Sequence, residues 1–291
     1  MEKYRSSDGC GPGGSGSGNA GRNPESTERV FRREDAENLL NLAVEMGYLL
    51  MSSGAEIYRV EESVARLLRA WELDTAEVFA IPSCLIVSAV LPDGHSVTRM
   101  RRIPAHGTDV ELLERCNALC RQLCAEPPSV EEARRRVSSL TEKLPRYHSE
   151  QVLLGYAVVP AFFAPLFGGD WEDALCAMLG GLMIGILLLY GRKFTGSNSF
   201  FRTAVCAASS SLSSLLLVRL GMGHHVDAVT ISILMLLVPG MALTNAMREI
   251  MAGDTISGLT RFADVLLMAG AIALGAAAGL AIGQLPGLSG L

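Results

Sequence analysis

Five stretches in the second half of the chain are each long and apolar enough to cross a bilayer, and this constrains the fold more than any other feature. A helix needs about 20 largely apolar residues to cross a hydrocarbon core of roughly 30 Å. Windows at about 151–168, 173–190, 200–220, 226–247 and 260–284 come close to that length. Nearly all the charge lies before Glu150, while 151–291 is built from Leu, Ala, Gly, Met and Val runs. Two solvents are implied. The expected fold is an α-helical integral membrane protein of about five transmembrane helices with an N-terminal cytosolic α+β domain.

Charges at the window ends set an orientation. Lys143, Arg146, Arg192, Lys193, Arg202, Arg248 and Arg261 fall on one side, and Asp170, Glu172, Asp173 and Asp227 on the other, with Arg219 as the exception. The basic side faces the cytoplasm by the positive-inside rule. This predicts a multi-pass protein of the plasma or inner membrane, its N-terminal domain in the cytosol and its C-terminus outside.

Residues 1–33 are rich in Gly and Ser and bury too little apolar surface to offset the entropy of ordering them, so they read as a disordered tail. They lack the apolar core of a secretory signal. The domain is expected over 34–148. Leu39, Leu40, Ala43, Met46 and Leu50 recur at helical spacing, and a break at Ser52-Ser53-Gly54 precedes a second helix to about Leu73. Residues 77–81, 83–90 and 95–100 alternate as strands around the turn Pro92-Asp93-Gly94. Two further helices follow at about 109–125 and 129–144, the second capped by Ser129 with Glu132 three residues on. A transmembrane helical domain over 149–291 completes the chain.

The net charge of −5, with Lys and Arg scattered among carboxylates, argues against a nucleic-acid partner. The 7 cysteines fit reduced thiols better than a disulfide framework. Cys116, Cys120 and Cys124 share one helix face, where core packing is favoured over a metal or redox site. His224-His225 with Asp227 reads as a solvated loop before it reads as a metal or pH site. No phosphate-binding loop, nucleophile elbow or His-Glu-x-x-His stretch occurs. No enzyme, cofactor or metal is therefore expected.

Pro239-Gly240 stands well inside the fourth window. Proline has no N–H, so carbonyls near Met235 and Leu236 should lose their helical partners. Such openings at membrane depth are where transporters bind small polar solutes, and Thr244 and Asn245 lie one turn on. An ordinary kink is the alternative. In the third window Ser210 and Ser213 belong to a serine stripe, Ser209–Ser214, that reads equally as a polar path or as close helix packing. Asp264, three residues after Arg261, is the candidate for proton coupling. Glu56, Arg59 and Glu62 have nearly helical spacing, so Arg59 could hold a carboxylate or the three could form a surface ion-pair ladder.

The residues Ser53-Gly-Ala-Glu-Ile-Tyr-Arg-Val-Glu-Glu62, Glu77-Val-Phe-Ala-Ile-Pro82, Phe167-Gly-Gly-Asp-Trp171, Leu237-Val-Pro-Gly240, Arg248-Glu249 and Gly253-Asp-Thr-Ile-Ser-Gly258 resemble the threonine/serine exporter family. The resemblance runs from about Asp35 to Gly283. It implies gradient-driven export of threonine, serine or a related small carboxylate. It turns Glu56, Arg59 and Glu62 into gating or solute-access candidates. Full-length members carry a further membrane module, so this chain looks like the split, large-subunit form. That form implies a small separate membrane protein as partner and, for some members, a dicarboxylate such as succinate as solute. The small solute and the lipid bilayer are the other partners, with self-association left open. A membrane-anchored ligand sensor or scaffold is the reading from a different class.

Overall fold

In the computed structural model, which describes residues 33–91, 94–104, 107–142, 147–191 and 198–285, a small α+β unit precedes a bundle of apolar helices. The expected tail through residue 32, the turn residues Pro92 and Asp93, and the basic residues Lys143, Arg146, Arg192 and Lys193 lie outside the described residues.

The α+β unit grows from two helices whose apolar stripes face each other. Helices α1 (Arg33–Ser52) and α2 (Ile57–Ala70) bury Leu39, Leu40, Met46 and Leu50 against Ile57, Val64, Leu67 and Leu68. Strands β1 (Glu77–Ile81), β2 (Cys84–Val90) and β3 (Ser96–Arg102) form an antiparallel sheet in the order β1-β2-β3. Its register pairs Ile81 with Cys84 and Cys84 with Arg102. Leu85, Val87 and Ala89 alternate inward from the central strand, as a one-sided sheet requires. On the edge strand, Arg99 pairs with Glu37 at 2.8 Å, and Arg101 pairs with Glu45 while stacking over the Tyr48 ring at 4.0 Å.

Helices α3 (Val110–Ala125) and α4 (Val130–Glu142) close the unit. Asp109 caps the first through the Leu112 N–H, and Ser129 caps the second through Glu132 N–H at 3.3 Å. Cys116 and Cys120 are buried beside Leu119 and Leu123, and burial pushes each thiol up to about 12. They pack as small apolar residues.

Among the described residues of the second half, four helices are long and apolar enough to cross a membrane: α5 (Ser149–Leu166), α6 (Trp171–Tyr190), α7 (Ser199–Arg219) and α10 (Thr255–Gly283). At 1.5 Å per residue, the 29 residues of α10 reach about 44 Å, longer than the hydrocarbon core. The fourth window, expected over 226–247, is not one helix. It is split into α8 (Val226–Leu234) and α9 (Gly240–Met251), of 9 and 12 residues, and neither is long enough to cross alone. Pro239 cannot donate to Met235, and the Gly240 N–H turns to Val238 O at 2.9 Å instead of reaching Leu236.

Small residues bring the bundle together. A Cβ at Gly275 or Gly279 of α10 would collide with the carbonyl oxygens of Ala204 and Ala208 on α7, so only glycine permits this approach. The far ends of these helices are tied where Arg219 donates to Gly283 O at 2.7 Å. The near end of α10 meets the α+β unit. Leu154, Phe162, Leu267 and Leu274 point outward, an apolar belt suited to lipid.

Candidate functional site

The turn between α1 and α2 is built to reach outward. Ser53 Oγ bonds back to Leu50 O at 2.9 Å, and Gly54 adopts φ +98°, a conformation only glycine takes freely. The Ser53 carbonyl accepts from Asp109 N–H at the start of α3. Residues 54–56 are thereby laid across the later half of α9 and the beginning of α10.

The contacts that follow link residues about 190 to 206 positions apart. Asn245 Nδ2 donates to Gly54 O at 3.1 Å. Arg261 donates to Ala55 O at 3.1 Å and pairs with Glu249 Oε1 at 3.2 Å. Glu249 Oε1 also accepts the Ile57 N–H at 3.0 Å. The first turn of α2 is thus capped from α9, supplying the acceptor that a helix N-terminus requires. Glu56, at the cap position itself, makes no capping bond and is held by Arg59 on one side and Arg248 on the other.

Charges here are unevenly covered. Glu56 and Glu249 are buried, whereas Arg59 and Arg248 are about half or more exposed. Glu249 Oε1 is engaged by the Ile57 N–H and Arg261, whereas its buried Oε2 has no hydrogen-bond partner among the described residues. A cleft of about 180 Å³ opens beside the ion pairs. Glu56, Arg59, Asn117, Met241, Asn245 and Arg248 line it, so it begins one residue past Gly240.

The structure brings Glu56, Arg59 and Asn245 together. It does not add Glu62, which pairs with Arg66 on the solvent face of α2. Thr244 is exposed and bonds back to Gly240 O at 3.0 Å. Ser213 Oγ donates to Ser210 O at 2.8 Å, while the Ser210 and Ser211 hydroxyls are buried without a partner among the described residues. Asp264 is exposed on α10, and its neighbour Arg261 turns to Glu249. Arg248, Glu249 and Arg261 were not among the sequence candidates. Their signals were charge at the edge of an apolar window and, for Arg248-Glu249, a place among the stretches that carry the family resemblance.

A second polar cluster sits at the opposite end of the helices. Asp173, fully buried at the start of α6, accepts N–H bonds from Asp170, His224 and His225 and from the His225 ring at 2.8 Å. His225 therefore pairs with Asp173 and not with Asp227. Its pKa is raised, chiefly by that hydrogen bond. Ligand atoms of Asp170, Asp173 and His225 lie within 4.8 Å of one another, but the buried carboxylate is already engaged by four donors, which is the pattern of a structural clasp.

Fold and site define a multi-helix membrane protein in which, among the described residues, four helices are long enough to cross a bilayer and a shorter pair is broken at Pro239. The chain belongs to the threonine/serine exporter family, whose model matches residues 41–283. It is 25% identical over 240 residues to a "Probable threonine/serine exporter" of Mycobacterium tuberculosis, covering 81% of this chain and 45% of that one. It is 22% identical over 260 residues to the "Threonine/serine exporter" of Corynebacterium glutamicum, covering 85% of this chain and 52% of that one. It is 27% identical over 262 residues to the "Probable succinate transporter subunit YjjP" of Escherichia coli K12, covering 88% of this chain and 99% of that one. The chain thus spans about half the length of the two named threonine/serine exporters and nearly the whole of YjjP. No solved structure matches significantly.

Proposed function

We propose that this chain is the larger subunit of a two-component exporter, which moves a small amino acid or a related carboxylate out of the cell. In this reading the α+β unit lies in the cytosol and α5, α6, α7, the α8–α9 pair and α10 make five crossings. The C-terminus is then outside, and a small separate membrane protein supplies the second module. One observation carries the proposal: the segment Gly54–Arg59 is docked onto the helix that follows the Pro239 break, with a solute-sized cleft left beside the seam. At about 180 Å³ the cleft is smaller than drug-sized pockets, which suits a solute of few atoms. Arg59 and Arg248 face it and share one carboxylate, Glu56. A carboxylate-bearing solute can take that place, because a guanidinium binds any carboxylate by the same paired N–H geometry.

Two solute classes have separate support. The names of the M. tuberculosis and C. glutamicum relatives favour threonine or serine, and the near full-length match to YjjP favours a dicarboxylate. The test is efflux from cells preloaded with labelled threonine, serine or succinate. It compares this chain alone, the small partner alone and both together. Efflux with both and not with either alone is the expected result and identifies the class. No efflux of any of the three, with both proteins shown in the membrane, would overturn the exporter reading in favour of a membrane-anchored sensor.

A further inference from the structure

The seam between the α+β unit and the last helices contains a group that the transport reading does not use. Glu249 is fully buried, and only its Oε1 is engaged, by the Ile57 N–H and Arg261. Oε2 has no hydrogen-bond partner among the described residues. A buried carboxylate oxygen without a donor is costly when charged and much less so when the carboxyl is neutral. The neighbouring charges are mixed. Arg261 faces Glu249 from α10, Asp254 acts on it from the cap of the same helix, Glu56 with Arg59 faces it from α2, and Arg248 precedes it on α9. Glu61, on α2, lies close enough to Asp254 to be affected by its charge.

We propose that the Glu249 carboxyl is a proton-binding site, and that its deprotonation loosens the docking of the Gly54–Ile57 segment on α9 and α10. The sign follows from burial. In the docked seam Oε2 is buried with no donor among the described residues, which penalises the charged form, so the docked seam binds the proton more tightly than the undocked one. Acid therefore favours docking. As the pH rises through the docked-state pKa the proton leaves to water, the buried oxygen becomes fully charged, and the stability contributed by the neutral form is lost. If the cleft admits solute when the seam loosens, proton release and cleft opening are linked, and each promotes the other. That last step rests on the exporter reading, whereas the proton site itself does not.

The experiment is amide hydrogen exchange of the full chain in lipid nanodiscs from about pH 5 to about pH 8, corrected for intrinsic exchange rates. The readout is protection of the peptide covering 54–60, with the β2 peptide 84–90 as control. In the wild type, protection of 54–60 is expected to fall severalfold as pH rises while the control holds. Glu249→Gln, a neutral mimic of the protonated carboxyl, is expected to keep high protection throughout. Should that variant lose protection in the control, Asp254→Asn replaces it. Asn still offers an oxygen to the Ser257 N–H that Asp254 caps, and removing the negative charge is expected to move the wild-type midpoint to lower pH. Protection of 54–60 independent of pH in the wild type, or rising with pH, overturns the proposal. So does an unshifted pH dependence in the variant used. Efflux measured on the same proteins fails independently if the exporter reading is the one at fault.

Discussion

Glu56 is held from two directions, by Arg59 one turn along its own helix and by Arg248 of α9. Removing one cation leaves a buried carboxylate short of a partner, which costs more than an exposed pair is worth. With Arg248 about half exposed, Arg248→Ala is expected to lower stability by about 1–3 kcal/mol, and Glu56→Gln made with it should recover part of that loss. Thermal unfolding of both variants in detergent checks this, and strictly additive effects would contradict the pairing. At the other end, the His225 clasp stabilises below the ordinary His pKa and fades as pH rises through the raised value, so the melting difference between wild type and His225→Ala should shrink on going alkaline. Cys116 and Cys120, with thiols pushed up to about 12, are expected to resist maleimide at neutral pH until the chain is denatured. Helical spacing marked Glu56 and Arg59 in the sequence. It could not mark Glu249 or Arg261, because a charge beside an apolar window reads equally as an interfacial anchor, and nothing local joins residues about 190 positions apart.

Apolar length is a strong local signal, and α5, α6, α7 and α10 lie where their windows predicted. The fourth window shows where that signal ends. Its hydropathy is continuous across Pro239, but the backbone is not, since the amide hydrogen a helix needs there does not exist. Pro239→Ala is expected to let α8 run on toward α9 and so to change flux while leaving insertion intact, measured by efflux against surface labelling. Unchanged flux would make the break a structural kink. The close approach of α7 and α10 was legible only as glycine content, because which small residue meets which carbonyl depends on helix rotation. Gly279→Leu is expected to destabilise that pair by a few kcal/mol, seen as a lower melting temperature.

In the whole molecule, an α+β unit is joined to one end of a helix bundle by buried ion pairs and backbone bonds, and the tie between Arg219 and Gly283 O lies at the other end. If the unit faces the cytosol, a cytosol-active reporter fused at Leu291 should be silent, and activity there would mean an even number of crossings or an inverted chain. The proposed path for a carboxylate-bearing solute is the cleft held by Arg59 and Arg248. Its most direct test is efflux of labelled threonine, serine or succinate from cells carrying the small partner with either the wild-type chain or an Arg59→Gln, Arg248→Gln double variant, at matched levels in the membrane. Efflux is expected in the wild type and is expected to fall at least about tenfold in the double variant, as when about 1.4 kcal/mol or more of carboxylate binding is lost. Equal efflux from both would contradict it and move the solute path away from the seam.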